Sequence, residues 1–197
     1  MKVVILAGGY GTRMREETEF KPKPMVEVGG HPVLWHIMKN FAKFGHTDFV
    51  IATGYKSEII KDYFLNYKAR NNDFTISLGN KESLVIHDQD NEEWNVTVAD
   101  TGVSTLTGGR LLGVSKYLDP KQDFLVAYGD GLANVDIDKL VASHKASKKI
   151  ATLTVVQPQS RFGLVDIDAD NHHERQHHRG CQQDCDHQLC YYLCKQR

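Results

Sequence analysis

The chain has 197 residues, 41% of them hydrophobic and 25% charged, with 24 basic against 25 acidic side chains. That length suffices for one domain with a real core, and a formal net charge of −1 gives no support for a nucleic-acid or membrane-surface partner. The first apolar run, Val3 to Ala7, is too short for a leader peptide, and nothing approaches the roughly 18 apolar residues of a membrane span, so a cytoplasmic protein is expected.

Lys2 to Ala7 is β-branched and runs into glycines, the pattern of a buried parallel strand. Gly8 to Lys23 is a loop rich in glycine and charge. Pro32 to Lys43 places Val33, Leu34, Ile37, Met38 and Phe41 at helical spacing, with a proline at the first turn. Asp48 to Ala52 predicts a second buried strand, and Lys56 to Tyr67 a second helix. The order β-loop-α-β-α is that of a doubly wound α/β sheet. Residues 71–109 interrupt it with short alternating stretches, Phe74–Leu78, Leu84–His87 and Trp94–Val98, which read as a hairpin or antiparallel insertion. Then follow a helix over 109–117, a core strand Phe124–Tyr128 running into Gly129-Asp-Gly131, and a helix over 137–148. Ala151–Val156 and Gly163–Ile167 predict two further core strands.

After about Asp170 the character changes. Residues 171–197 hold five of the ten histidines, five glutamines and all four cysteines, with Leu189 and Leu193 as the aliphatics. This segment shows no strand or helix period and is expected to be disordered and to add little core. Its Cys181-x3-Cys185 and Cys190-x3-Cys194 pairs fit no familiar zinc spacing. The abrupt change of composition reads instead as translation out of frame from near Asn171. The expected division is a domain over 1–170 and an aberrant tail over 171–197.

The loop Leu6-Ala-Gly-Gly-Tyr-Gly-Thr-Arg-Met14 lacks the Walker A lysine spacing, and a dinucleotide motif from Gly9 would need glycine where Met14 stands. What remains is a loop whose Gly8, Gly9 and Gly11 let backbone N–H groups approach phosphate, with Arg13 and Lys23 as two cations. Pro22 and Pro24 are expected to hold Lys23 extended. Asp130, between two glycines after a core strand, is placed for the carboxyl edge of the sheet and for a hard cation. Asn95-Val-Thr97 matches a glycosylation sequon that needs a secretory signal, His36 reads as a satisfied or surface histidine, and Trp35 and Trp94 read as packing residues.

Leu-Ala-Gly-Gly-x-Gly-Thr-Arg-Met followed by Lys-Pro-Lys-Pro-Met resembles the signature of the sugar-phosphate nucleotidylyltransferases. Met25-Val-Glu-Val-Gly-Gly30, Trp94-Asn-Val-Thr97, Asp100-Thr-Gly102, Thr107-Gly-Gly-Arg-Leu111 and Tyr128-Gly-Asp-Gly131 narrow it to the branch that joins CTP to glucose 1-phosphate. The resemblance spans residues 1 to about 168. It implies a Rossmann-like three-layer α/β sandwich with a mostly parallel, mixed sheet, of nucleotide-diphospho-sugar transferase type. It implies Leu6, Ala7, Gly8, Gly9, Gly11, Thr12, Arg13 and Lys23 around the nucleotide, with Ser104, Thr105, Arg110 and Tyr128. Arg13 and Lys23 would be the catalytic cations and Asp130 the ligand of Mg²⁺. The reaction implied is attack of a sugar-phosphate oxygen on the α-phosphorus of CTP, giving CDP-glucose and pyrophosphate for deoxysugar and O-antigen synthesis, in a homo-oligomer. The family's later Glu-Lys-Pro segment and second metal carboxylate have no counterpart in this chain, so the acceptor half of the site is expected to be incomplete.

Overall fold

The computed structural model describes residues 1–10, 20–79, 83–87, 92–155, 166–167, 173–174 and 191–194. In chain order the elements are β1 (Val3–Ala7), a two-strand ladder of β2 (Glu27–Val28) and β3 (His31–Pro32), α1 (Val33–Ala42), β4 (Asp48–Thr53), α2 (Ser57–Leu65) and α3 (Tyr67–Asn71). Then come β5 (Phe74–Ser77), β6 (Ser83–Ile86), β7 (Asn95–Asp100), α4 (Thr107–Val114), β8 (Phe124–Tyr128), α5 (Ile137–Ser147) and β9 (Ala151–Leu153). The last described elements are β10 (Asp166–Ile167), β11 (His173–Glu174) and β12 (Tyr191–Cys194).

Six strands form one sheet in the order β7-β4-β1-β8-β12-β9. The first four are mutually parallel, and β12 runs antiparallel to both its neighbours. The expected mixed, mostly parallel sheet is therefore present. Because successive side chains leave a strand on opposite faces, Val3, Ile5 and Ala7 enter one apolar cluster while Val4 and Leu6 enter another. The first cluster is closed by Leu34, Ile37, Met38 and Phe41 of α1, Ile60 and Tyr63 of α2, and Ile137 of α5. The second is closed by Val114 of α4 and Leu118. Helices on both faces of a sheet make the three layers. α1 has no side-chain cap, so its buried stripe is what holds it. Trp35 and Trp94 join an aromatic group with Phe49 and Tyr67, the packing role read from the sequence.

Three expectations are corrected. The stretch Trp94–Val98 is not antiparallel: β7 pairs in parallel with β4 from Asp48↔Asn95 to Thr53↔Asp100, and only β5 and β6 form a hairpin. As the sheet's edge strand β7 is half-solvated, and alternation reports solvation of one face, not strand direction. The strand expected at 163–167 does not join the central sheet: Asp166–Ile167 pairs with β11 in a separate ladder, and 163–165 lie outside the described residues. Periodicity announces a strand without naming its partner.

Four residues of the tail, finally, are strand and not disordered: Tyr191–Cys194 enter the central sheet. β12 sits between β8 and β9, with Tyr192 opposite both Val126 and Leu153. Backbone pairing needs only N–H and C=O groups, and Tyr-Tyr-Leu-Cys is a run of good strand formers that a search for aliphatics passes over.

Candidate active site

β1, β4, β7 and β8 all point the same way, so their carboxyl ends, Ala7, Thr53, Asp100 and Tyr128, share one edge. From β1 the chain steps to β4 and on to β7, whereas β8 lies on the other side of β1. The crevice between β1 and β8 is therefore the topological switch point at which open α/β sheets bind ligands. Gly8 and Gly9 leave β1 there, and Gly129-Asp-Gly131 leaves β8. The two strand ends approach closely: the Gly129 N–H donates to the Leu6 carbonyl at 2.9 Å, and a Cβ on Gly129 would lie 2.8 Å from Pro24 Cγ and 3.0 Å from the Leu6 oxygen.

Lys23 enters this crevice from a single 3₁₀ turn, Lys23–Met25, closed by the Val26 N–H on the Lys23 carbonyl at 3.1 Å. The extended reading therefore holds for Pro22 (φ −67, ψ 147) but not for Lys23, since the φ of Pro24 suits a tight turn as well as an extended chain. Lys23 Nζ donates to Asp130 Oδ2 at 3.4 Å. The structure thus brings the expected cation and the expected metal carboxylate together at the mouth of the crevice. Met25, at the end of the Lys23 turn, is buried in the core and anchors that turn. Gly11, Thr12 and Arg13 lie outside the described residues.

The β7 end is a built turn. The Asp100 carboxylate accepts from the Gly102 N–H at 2.9 Å and from Ser57 Oγ at 3.1 Å, with Lys61 Nζ 3.9 Å away. The Gly102 N–H, with smaller help from Ser57 and Lys61, holds the Asp100 carboxyl below the usual carboxylate range. Gly102 takes φ +87, which a residue with a side chain rarely adopts. Thr101 Oγ1 donates to the Thr53 carbonyl at 2.6 Å, and Thr105 Oγ1 to the Thr101 carbonyl at 2.6 Å. Ser104 is exposed on the same turn, and Tyr128 is half-buried against the second apolar cluster.

Arg110 is the surprise among the expected residues. It is 5% exposed, and its two terminal nitrogens donate to carbonyls of Thr53, Gly102, Gly8 and Val103 and to Thr101 Oγ1. Burial lowers its pKa and Asp100 opposes this, yet a guanidinium stays charged. Gly54 and Tyr55, in no motif of the sequence, also lie at this end. Tyr55 donates its N–H to the Gly8 carbonyl at 3.2 Å, and its ring lies 5.4 Å from that of Tyr10. The strand-glycine sequence Thr53-Gly54 was the available signal.

The nucleotidyl transferase family pattern matches residues 2–177. This chain belongs to the nucleotidyl transferase family. A curated nucleotidyl transferase relative from Salmonella typhi, glucose-1-phosphate cytidylyltransferase, is 51% identical over 169 residues, covering 86% of this chain and 65% of that protein. A mannose-1-phosphate guanyltransferase from Neurospora crassa is 31% identical over 179 residues, covering 89% of this chain and 43% of that protein. Among solved structures, HddC from Yersinia pseudotuberculosis superposes with a TM-score of 0.71 at 24% identity, covering 99% of this chain and 76% of that one, and shares the fold. This nucleotidyl transferase chain thus spans less than two thirds of the length of the curated relatives named here. Among its described residues no helix is long and apolar enough to cross a membrane, and no three acidic, histidine or cysteine side chains gather as a metal cluster.

Proposed function

We propose that this chain is the nucleotide-binding part of a glucose-1-phosphate cytidylyltransferase, a cytoplasmic homo-oligomeric enzyme that makes CDP-glucose for deoxysugar and O-antigen synthesis. The observation that supports it most is the meeting of Gly8–Gly9, Lys23 and Asp130 at the switch point between β1 and β8. The chemistry needs two polyanions held in line, so positioning and charge neutralisation do most of the work and no protein nucleophile is required. In this reading the glycines admit the triphosphate to the backbone, and Lys23 and Arg13 neutralise it as the α-phosphorus is attacked. Ser104, Thr105 and Tyr128 border the nucleoside.

Asp130 is one exposed carboxylate beside a cation, which suits Mg²⁺ held mainly by phosphate oxygens and water. When bound, the ion would add to the neutralisation of the phosphates. Selection of CTP and of glucose 1-phosphate rests on the 51% identity to the Salmonella typhi enzyme.

Titration calorimetry with CTP, GTP, UTP and dTTP, followed by magnesium-dependent pyrophosphate release from CTP and glucose 1-phosphate, tests the proposal. CTP is expected to bind most tightly, and absence of CTP binding would refute it. Binding without pyrophosphate release would favour a second reading, a nucleotide-binding protein without turnover.

A further inference from the structure

The turn that follows β7 is tied both to β4 and to α2. Thr101 reaches back to β4, its N–H and its hydroxyl both donating to the Thr53 carbonyl, at 3.0 and 2.6 Å. The Asp100 carboxylate accepts from the Gly102 N–H at 2.9 Å with one oxygen and from Ser57 Oγ at 3.1 Å with the other. Thr105 closes the turn. Its hydroxyl donates to the Thr101 carbonyl at 2.6 Å, and a Cβ on Gly102 would stand 3.0 Å from the hydroxyl oxygen.

Asp100 therefore joins the turn to the head of α2. Ser57 is 8% exposed and its own N–H donates to the Gly54 carbonyl at 3.2 Å, so its hydroxyl sits on fixed backbone. Without the carboxylate, the Gly102 N–H and the Ser57 hydroxyl both lose their acceptor, and Gly102, at φ +87, can swing Ser104 and Thr105 aside. The phosphate end of the crevice is held by other means. The Gly8 carbonyl accepts from the Tyr55 N–H at 3.2 Å, and Lys23 stands on its own 3₁₀ turn.

We propose that Asp100 is a positioning residue for the nucleoside: through Gly102 and Ser57 it sets Ser104 and Thr105 where they border the nucleoside, and it acts on the nucleotide through this turn. The role rests on the nucleotide-binding reading and deepens it.

Calorimetry of Asp100→Ala with CTP and with inorganic tripolyphosphate tests the role. CTP affinity should fall about tenfold while tripolyphosphate affinity stays within about twofold, since only CTP carries the part that the turn borders. A variant that had merely lost folded protein would lose both alike. Asp100→Asn should keep most of the CTP affinity. Its amide oxygen can still accept from Gly102, and its NH₂ can donate to Ser57, whose hydroxyl serves in either sense. The Thr101 N–H gives a readout without nucleotide, because it bonds to Thr53 and not to Asp100. Its hydrogen exchange should quicken about tenfold in Asp100→Ala while that of Ile51, in the middle of β4, stays unchanged.

Where Asp100→Ala fails to fold, Ser57→Ala cuts the tie to α2 alone and should show the same selective loss of CTP at about threefold. Unchanged Thr101 exchange overturns the role, and so does unchanged CTP affinity. Equal loss of CTP and tripolyphosphate overturns it in favour of a general loosening of the site. If the wild-type protein binds neither ligand, the nucleotide reading falls and takes the nucleoside role with it, whatever the Thr101 amide does.

Discussion

Lys23 and Asp130 stand 107 positions apart in sequence with their charged atoms 3.4 Å apart. Their side chains keep 17% and 32% of their surface in water, so the pair is worth little to stability. Lys23→Met is therefore expected to leave the unfolding free energy, read by urea titration, unchanged within about 0.5 kcal/mol. The same variant should weaken CTP binding about ten- to a hundredfold, the loss of one charged hydrogen bond, as read by calorimetry. Asp100 behaves in the opposite way. Its folded pKa lies below the ordinary value, so the ionised form is favoured by folding, and its contribution is present above about pH 4 and lost as pH falls through the folded value. Asp100→Asn should accordingly destabilise the protein at pH 7, and urea titrations of the two proteins should converge in acid below the folded pKa.

At the scale of elements, α1 and α5 are held by different means. α5 begins at Asp136, whose carboxylate accepts from the Lys139 N–H at 3.0 Å, a capping contact worth about 1 kcal/mol. α1 begins at Pro32 without a cap and relies on Leu34, Ile37, Met38 and Phe41, all fully buried. Phe41→Ala is expected to cost about 3–5 kcal/mol in urea unfolding, against about 1 kcal/mol for Asp136→Ala. A smaller loss for Phe41 than for the cap would contradict this account of α1. Loss of α1 would reach the site, because Met25, at the end of the Lys23 turn, belongs to the same core cluster.

For the whole molecule, the deciding contact is the one made by β12. It closes the gap between β8, which carries Asp130 at its end, and β9. Tyr192→Pro removes a backbone donor from a strand paired on both sides, where proline is not tolerated. The expected result is faster amide exchange at Thr152 and Val126 and increased light scattering as the flank of β8 opens to other chains. Unchanged exchange at both amides would show that β12 does not hold β9 to the sheet.

Local chemistry made much of this protein legible in advance. β-branched runs ending in glycine marked β1 and β4, helical spacing marked α1, and glycines beside Arg13, Lys23 and Asp130 marked the candidate phosphate site, because each signal lies within one element or loop. The direction of β7 was not legible, since alternation reports which face is wet and nothing about the partner. Nor was the place of β12, whose pairing depends on a gap left by strands more than 30 residues earlier in the chain. Arg110 shows the same limit at one side chain. As a residue type it suits phosphate, and only the folded chain, by setting five carbonyl and hydroxyl oxygens around its head group, directs its charge inward.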